Sequence, residues 1–202
     1  MRKTTIRSSI LKVAVALCFM TTAASVSATE NTDKPVRPAV SEKPYAMMQQ
    51  LAPLLGSWSM VTSFSQDGGK TWQQSPPVEV EVKLSHKGML LSEEPKVPSE
   101  TEFNMRSFIS YDQYRNVYRN ASVDDVWGIM DLYEGTIEDG KLVMTNLKSG
   151  TFFPISETAW RAFRLTFDLT AGKRQLHIEA SDDGGKTWAP SFEVTYTAIN
   201  TP

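Results

Sequence analysis

Residues 78–84 alternate without a break. Val78, Val80, Val82 and Leu84 are apolar, and Glu79, Glu81 and Lys83 between them are charged. A period of two is the signature of a strand with one wet face and one buried face. The same rhythm returns along most of the chain, cut by short turn signals. Strands are expected at 89–91, 103–111, 117–123, 127–137, 141–146, 160–169, 175–181 and 192–199, with 57 onward as the first. His86-Lys87-Gly88, Glu138-Asp139-Gly140 and Ala171-Gly172-Lys173 read as turns, and Asp-Gly is a strong hairpin signal. Residues 112–116 form a further turn, and 93–100 and 148–158 read as longer loops. Only 45–55 carries a helical period, with Met47, Met48, Leu51, Leu54 and Leu55 on one face. Pro53 limits its last turn, and Gly56 suits the position after it. The pattern therefore predicts an all-β fold: a short N-terminal helix, then an antiparallel meander of about ten strands. Such a meander removes its two free edges most simply by closing into a barrel.

The N-terminus follows a different pattern. Arg2, Lys3, Arg7 and Lys12 precede an apolar run at 13–24, which is too short to span a bilayer. Val26-Ser27-Ala28 supplies small residues for a signal peptidase, so 1–28 reads as a signal peptide cleaved after Ala28. Two alternatives are an uncleaved anchor and a lipoprotein modified at Cys18. The bulky Leu17 before Cys18 counts against the second. Residues 29–44 are polar and proline-containing and read as a flexible leader, leaving 45–202 as one domain. The expected location is the periplasm or the cell exterior.

Cleavage changes the composition in two ways. The formal charge of −2 becomes −6 once the four basic residues leave. An acidic chain without a basic stripe argues against nucleic acid and against stable attachment to anionic membranes. Cys18 is the only cysteine, so the exported domain has neither a disulfide nor thiol chemistry.

One octapeptide occurs twice. Residues 65–72 read SQDGGKTW and 181–188 read SDDGGKTW. The pattern S-x-D-x-G-x-T-W resembles the Asp-box of sialidases, carried by Ser65, Asp67, Gly69, Thr71 and Trp72, and by Ser181, Asp183, Gly185, Thr187 and Trp188. In that setting the box is a hairpin element remote from catalysis. The residue types agree: an Asp that bonds its own backbone, glycines that take positive φ, and a Trp that folds over the turn. One or two carboxylates do not make a calcium shell. Little similarity continues beyond the boxes, which argues against a duplicated domain.

A helix running into Leu55-Gly56-Ser57-Trp58 resembles the Gly-x-Trp start of lipocalin-like (calycin) barrels. Segments 160–167, 179–188 and 194–197 look like a bacterial family of small exported lipocalin-like domains of unassigned function. The resemblance implies a barrel with a central cavity. It also implies a floor Trp, here Trp58, beneath an Arg from a late strand, a role open to Arg161 or Arg164. Gly56, Trp58, Asp67, Trp72, Asp183 and Trp188 are then structural.

An eight-to-ten-strand barrel is wide enough to hold one small molecule. Met105, Tyr118, Met130, Tyr133, Phe163 and Phe167 are candidates for its lining or its packed core. Trp127, after Asp124-Asp125 and before Gly128, is expected near a barrel mouth. Arg106, Arg119 and Arg164 lie inside strand patterns. A buried guanidinium needs a partner, from the protein or from a ligand. The expected ligand-binding set is Arg106, Tyr118, Arg119, Trp127, Met130, Tyr133 and Arg164. His86 and His177 are far apart and make no zinc site, and His177 shares a polar face with Gln175 and Glu179. No phosphate loop, dinucleotide fingerprint or catalytic triad stands out, and no cofactor is expected. The leading expectation is a non-enzymatic exported barrel for an apolar or amphipathic ligand. Its rivals are an interaction module of the envelope, contacting partners through 93–100 and 152–154, and an enzyme using Asp131 or Glu134 at the mouth.

Overall fold

The computed structural model describes residues 38–100, 103–170, 172 and 174–199. The signal segment and most of the leader lie outside the described residues. Twelve strands follow a short helix, α1 (Glu42–Gln49). They are β1 (Gly56–Phe64), β2 (Gln73–Gln74), β3 (Val78–Ser85), β4 (Leu90–Pro95), β5 (Met105–Asp112) and β6 (Val117–Asp124). The rest are β7 (Met130–Glu138), β8 (Lys141–Thr145), β9 (Phe153–Pro154), β10 (Trp160–Asp168), β11 (Arg174–Ser181) and β12 (Ala189–Ala198).

Ten of these close into one antiparallel barrel in chain order, with β2 and β9 as two-residue ribbons beside β1 and β10. The seam joins the first and last strands, from Trp58 opposite Ala198 to Phe64 opposite Phe192. Closure leaves no long edge to attract other chains.

The helix starts earlier and stops sooner than its sequence period suggests. Regular α-helix ends at Gln49, and a 3-10 turn (Ala52–Leu54) carries the apolar stripe onward. Pro53 is the cause: its ring lacks an N–H and is tolerated only at the start of a new turn. Met48, Leu51 and Leu54 still share one buried face and plug one end of the barrel. Burying a side chain such as Leu51, which is fully enclosed, contributes about 2 kcal/mol. Gly56 then turns the chain into β1 at φ +133°, a conformation that favours glycine. The indole of Trp58 donates back to the Leu54 carbonyl at 3.1 Å and locks the corner.

The turns beside α1 mark the closed end. Tyr118 donates its hydroxyl to the Met47 carbonyl at 2.8 Å. The Asp139-Gly140 turn has positive φ at both residues, as a two-residue hairpin requires. The connections after β1, β4, β6, β8 and β11 gather at the opposite end.

Several strand limits move. Trp127 lies in the loop between β6 and β7 rather than in a strand, and β4 runs through Glu93 and Glu94 to Pro95. Arg174 belongs to β11 rather than to the turn before it. The cation over the Trp58 ring is therefore Arg174, not Arg161 or Arg164. The Arg174 guanidinium carbon sits 5.3 Å from the Trp58 ring and 3.8 Å from the Tyr196 ring.

Both octapeptides form hydrogen-bonded turns that share five bonds at the same lengths. Asp67 Oδ1 accepts from the Thr71 and Lys70 backbone N–H groups at 2.9 and 3.0 Å, and Asp67 Oδ2 accepts from the Thr71 hydroxyl at 2.7 Å. Asp183 repeats all three bonds with Thr187 and Lys186. The first copy packs on the start of β12. Ser65 N–H bonds the Ser191 carbonyl at 2.8 Å, and a side chain at Gly69 would meet Pro190 at 3.1 Å. The first turn thus braces the barrel where β1 meets β12.

Candidate functional site

Register decides which side chains enter the barrel, because successive residues of a strand face opposite ways. Val82, Glu93, Ser107, Ser122 and Asp131 are successive cross-strand partners from β3 to β7 and all face inward. Leu91, Ile109, Asn120 and Tyr133 form the next inward row, nearer α1. Facing them across the lumen, β10, β11, β12 and β1 contribute Phe163, Ile178, Phe192 and Met60.

The lumen has two levels. Towards α1 it is filled: Tyr118, Leu91, Ile109, Leu142 and Met144 are almost completely buried. At mid-depth Arg174, only 3% exposed, reaches across to Glu93 and makes an ion pair with it. Tyr196 donates its hydroxyl to the same carboxylate at 3.1 Å. This link forms a polar deck over the apolar floor. Above it, inward residues such as Met60, Phe163, Ile178, Ser107 and Asp131 are only half-buried.

The walls above the deck differ in chemistry. The β10–β1 wall is apolar, with Phe163 and Phe192 rings 6.4 Å apart. The β4–β7 wall is polar. Ser107 and Ser122 share a hydroxyl–hydroxyl bond of 2.9 Å, and Ser122 also reaches Asn120 Oδ1 at 3.4 Å. Tyr133 donates to Asp131 Oδ2 at 3.2 Å. Burial pushes the Asp131 carboxyl above its ordinary value against the pull of that bond, and nearby Asp124 adds to the rise. Burial likewise pushes the Tyr133 phenol up, with the Asp131 charge helping. Among the described residues, Asn120 Nδ2 is buried without a hydrogen-bond partner.

Of the seven residues expected to bind ligand, two face the interior. Tyr133 lies in the polar wall, and Tyr118 lies deeper, in the filled floor against Tyr111. Arg106, Arg119 and Arg164 point outward and pair with Glu94, with Asp112 and Glu134, and with Glu179 respectively. Arg164 also lies 4.8 Å from the Trp188 ring. Met130 faces outward at the rim, and Trp127 stands 63% exposed in its loop beside Phe103. His177 is on the outer face, near Glu193. Phase separates these from the inward set: Arg164 falls between Phe163 and Leu165, whereas Arg174 keeps step with Leu176 and Ile178. Glu93, Ser107 and Asn120 carry the same mark, polar residues in step with apolar ones.

Two shallow clefts of about 400 and 190 Å³ lie on the outer wall and rim around Pro95, Pro98 and Arg106. Among the described residues no group of three or more His, Cys, Asp or Glu converges to hold a metal ion, and no helix is long and apolar enough to cross a membrane.

No curated protein matches the chain. A family model described as protein of unknown function (DUF1579) matches residues 43–197, which begins within α1 and ends one residue short of the end of β12. The match spans every strand of the closed barrel, and the chain belongs to that family.

Proposed function

We propose that this chain is an exported, non-enzymatic barrel that binds one small amphipathic molecule in the open half of its lumen. Export rests on the N-terminal signal pattern, with cleavage near Ala28 and a periplasmic or extracellular destination. The observation that carries the binding reading is the two-sided lining above the Arg174–Glu93 deck. A purely structural core would be apolar all round. Here Ser107, Ser122 and Asp131 line one wall, and Met60, Phe163 and Ile178 line the facing one. The deck sets the depth: about four residues of strand, roughly 10 Å, separate it from the rim. A ligand of modest length, with a polar head toward β4–β7 and an apolar body toward β10–β1, fits that description.

Native mass spectrometry of the protein taken from its own host's envelope, followed by solvent extraction, tests the reading. A reproducible extra mass released on denaturation supports it and identifies the ligand. A clean apo mass, together with no binding of added amphipaths, overturns it.

A second reading draws on the rim. Val97, Phe103, Trp127, Phe153 and Trp160 are exposed around the open end. Isolated surface apolar residues are ordinary, but several around one mouth suit contact with a protein partner in the envelope. Cross-linking from the rim in the host envelope tests it: capture of one defined partner that is lost on Trp127→Ser and Trp160→Ser favours this reading.

A further inference from the structure

The polar wall contains two groups with unmet needs, and they differ in sign. Asp131 is an inward carboxylate with a single hydrogen bond, from Tyr133. Among the described residues it makes no ion pair, and another carboxylate, Asp124, acts on it as a like charge. Glu93, the other carboxylate of its row, is answered by Arg174. Asn120, one step deeper and 2% exposed, uses its Oδ1 toward Ser122, while its Nδ2 donates to nothing. A buried donor without a partner is costly, and so is a half-buried charge without a counterion. Cross-strand register sets Ser122 opposite Asp131 and Asn120 opposite Tyr133, so the acceptor and the free donor lie diagonally in one wall. Diagonal neighbours on a sheet face are within about 8 Å, the span of a small head group.

We infer that the lumen selects an alkyl amine whose head also bears a hydroxyl or carbonyl oxygen, the ammonium pairing with Asp131 and the oxygen accepting from Asn120 Nδ2. The tail lies along Met60, Phe163, Ile178 and Phe192. An anionic head such as a fatty carboxylate meets Asp131 as a like charge and is rejected. This inference rests on the carrier reading above and adds the chemistry of the head group.

Four probes of equal tail length separate the two: octylamine, aminooctanol, octanoate and octanol, titrated calorimetrically into protein recovered from the host envelope. Octylamine is expected to bind roughly tenfold more tightly than octanoate, with aminooctanol tightest, as charge-assisted bonds exceed neutral ones. Asp131→Asn, nearly isosteric, is expected to erase the preference for amine over carboxylate. Octanoate binding as well as octylamine, or an amine preference that survives Asp131→Asn, overturns the head-group inference and leaves the carrier reading standing. Binding of none of the four removes both.

Discussion

Arg174 and Glu93 lie 81 residues apart in sequence and meet inside the barrel, one from β11 and the other from β4. The guanidinium is pressed between this carboxylate and the Tyr196 ring, 3.8 Å away. Its remaining nitrogens have no hydrogen-bond acceptor, so the aromatic faces of Tyr196 and Trp58 take that place. Removing one partner of a buried pair is worse than removing both. Arg174→Met is expected to destabilise the barrel by about 3 kcal/mol in urea unfolding. Adding Glu93→Gln to it should recover at least about 1 kcal/mol, and strictly additive losses would show that the two groups are not coupled.

Gly135 owes its place to space rather than to φ. A Cβ there would sit 1.7 Å from the Val143 carbonyl oxygen and 2.7 Å from Met144 Cα, both backbone atoms that cannot swing away. Gly135→Ala must separate β7 from β8, and a loss of about 3 kcal/mol is expected. Gly140→Ala is the comparison, since a Cβ there meets nothing within 4 Å and only its φ of +75° is strained. Thermal melts that rank the two in the opposite order would refute this.

Acid should act on the two repeated turns before it acts on the core. Backbone and hydroxyl donors from Thr71, then the Ser65 hydroxyl, hold the Asp67 carboxyl down at about 2, and the matching donors hold Asp183 lower still. Because both values lie below those of an unfolded chain, the stabilisation is whole above about pH 4 and is lost as pH falls toward 2. Protection against amide exchange at Lys70, Thr71, Lys186 and Thr187, taken relative to the intrinsic rate at each pH, should fall over that range. In Asp67→Asn the first pair should lose its pH dependence while the second keeps it.

Alkali should work on the interior. Burial, helped by Tyr111, pushes the Tyr118 phenol up to about 12, and burial pushes Tyr133 and Tyr196 up as well. Raised values mean that the folded chain holds these protons more tightly. The stabilisation is therefore present below about pH 10 and is lost as pH climbs past it. Urea midpoints between pH 8 and 11 should stay level and then fall. Tyr118→Phe should cost about 1 kcal/mol at neutral pH, through the lost bond to Met47, and should soften the alkaline fall.

Much of this barrel is readable from alternation alone. Val78 to Leu84, Phe163 to Phe167 and the Asp139-Gly140 turn declare their faces and ends without any neighbour. The helix limit is less readable, because Pro53 ends one turn and starts another within the same apolar stripe. The lumen chemistry is least readable. Asn120 and Arg174 are polar residues on an inward phase, visible as such in the sequence. What each one meets is set by the strand opposite, and that depends on register around ten strands. Arg164 and Arg174 look alike in composition. One faces Glu179 at the surface and the other crosses to Glu93.

The seam between β1 and β12 governs how the molecule comes into being. Trp58 and Ala198 are partners across almost the whole domain, so the ring cannot shut until the last segment has been delivered. Until then β1 and β11 both carry open edges able to recruit other chains. A polypeptide that stops before Ala189 never loses them. Slow long-range closure makes a waiting period part of this protein's folding, and the final ten-residue strand is what ends it.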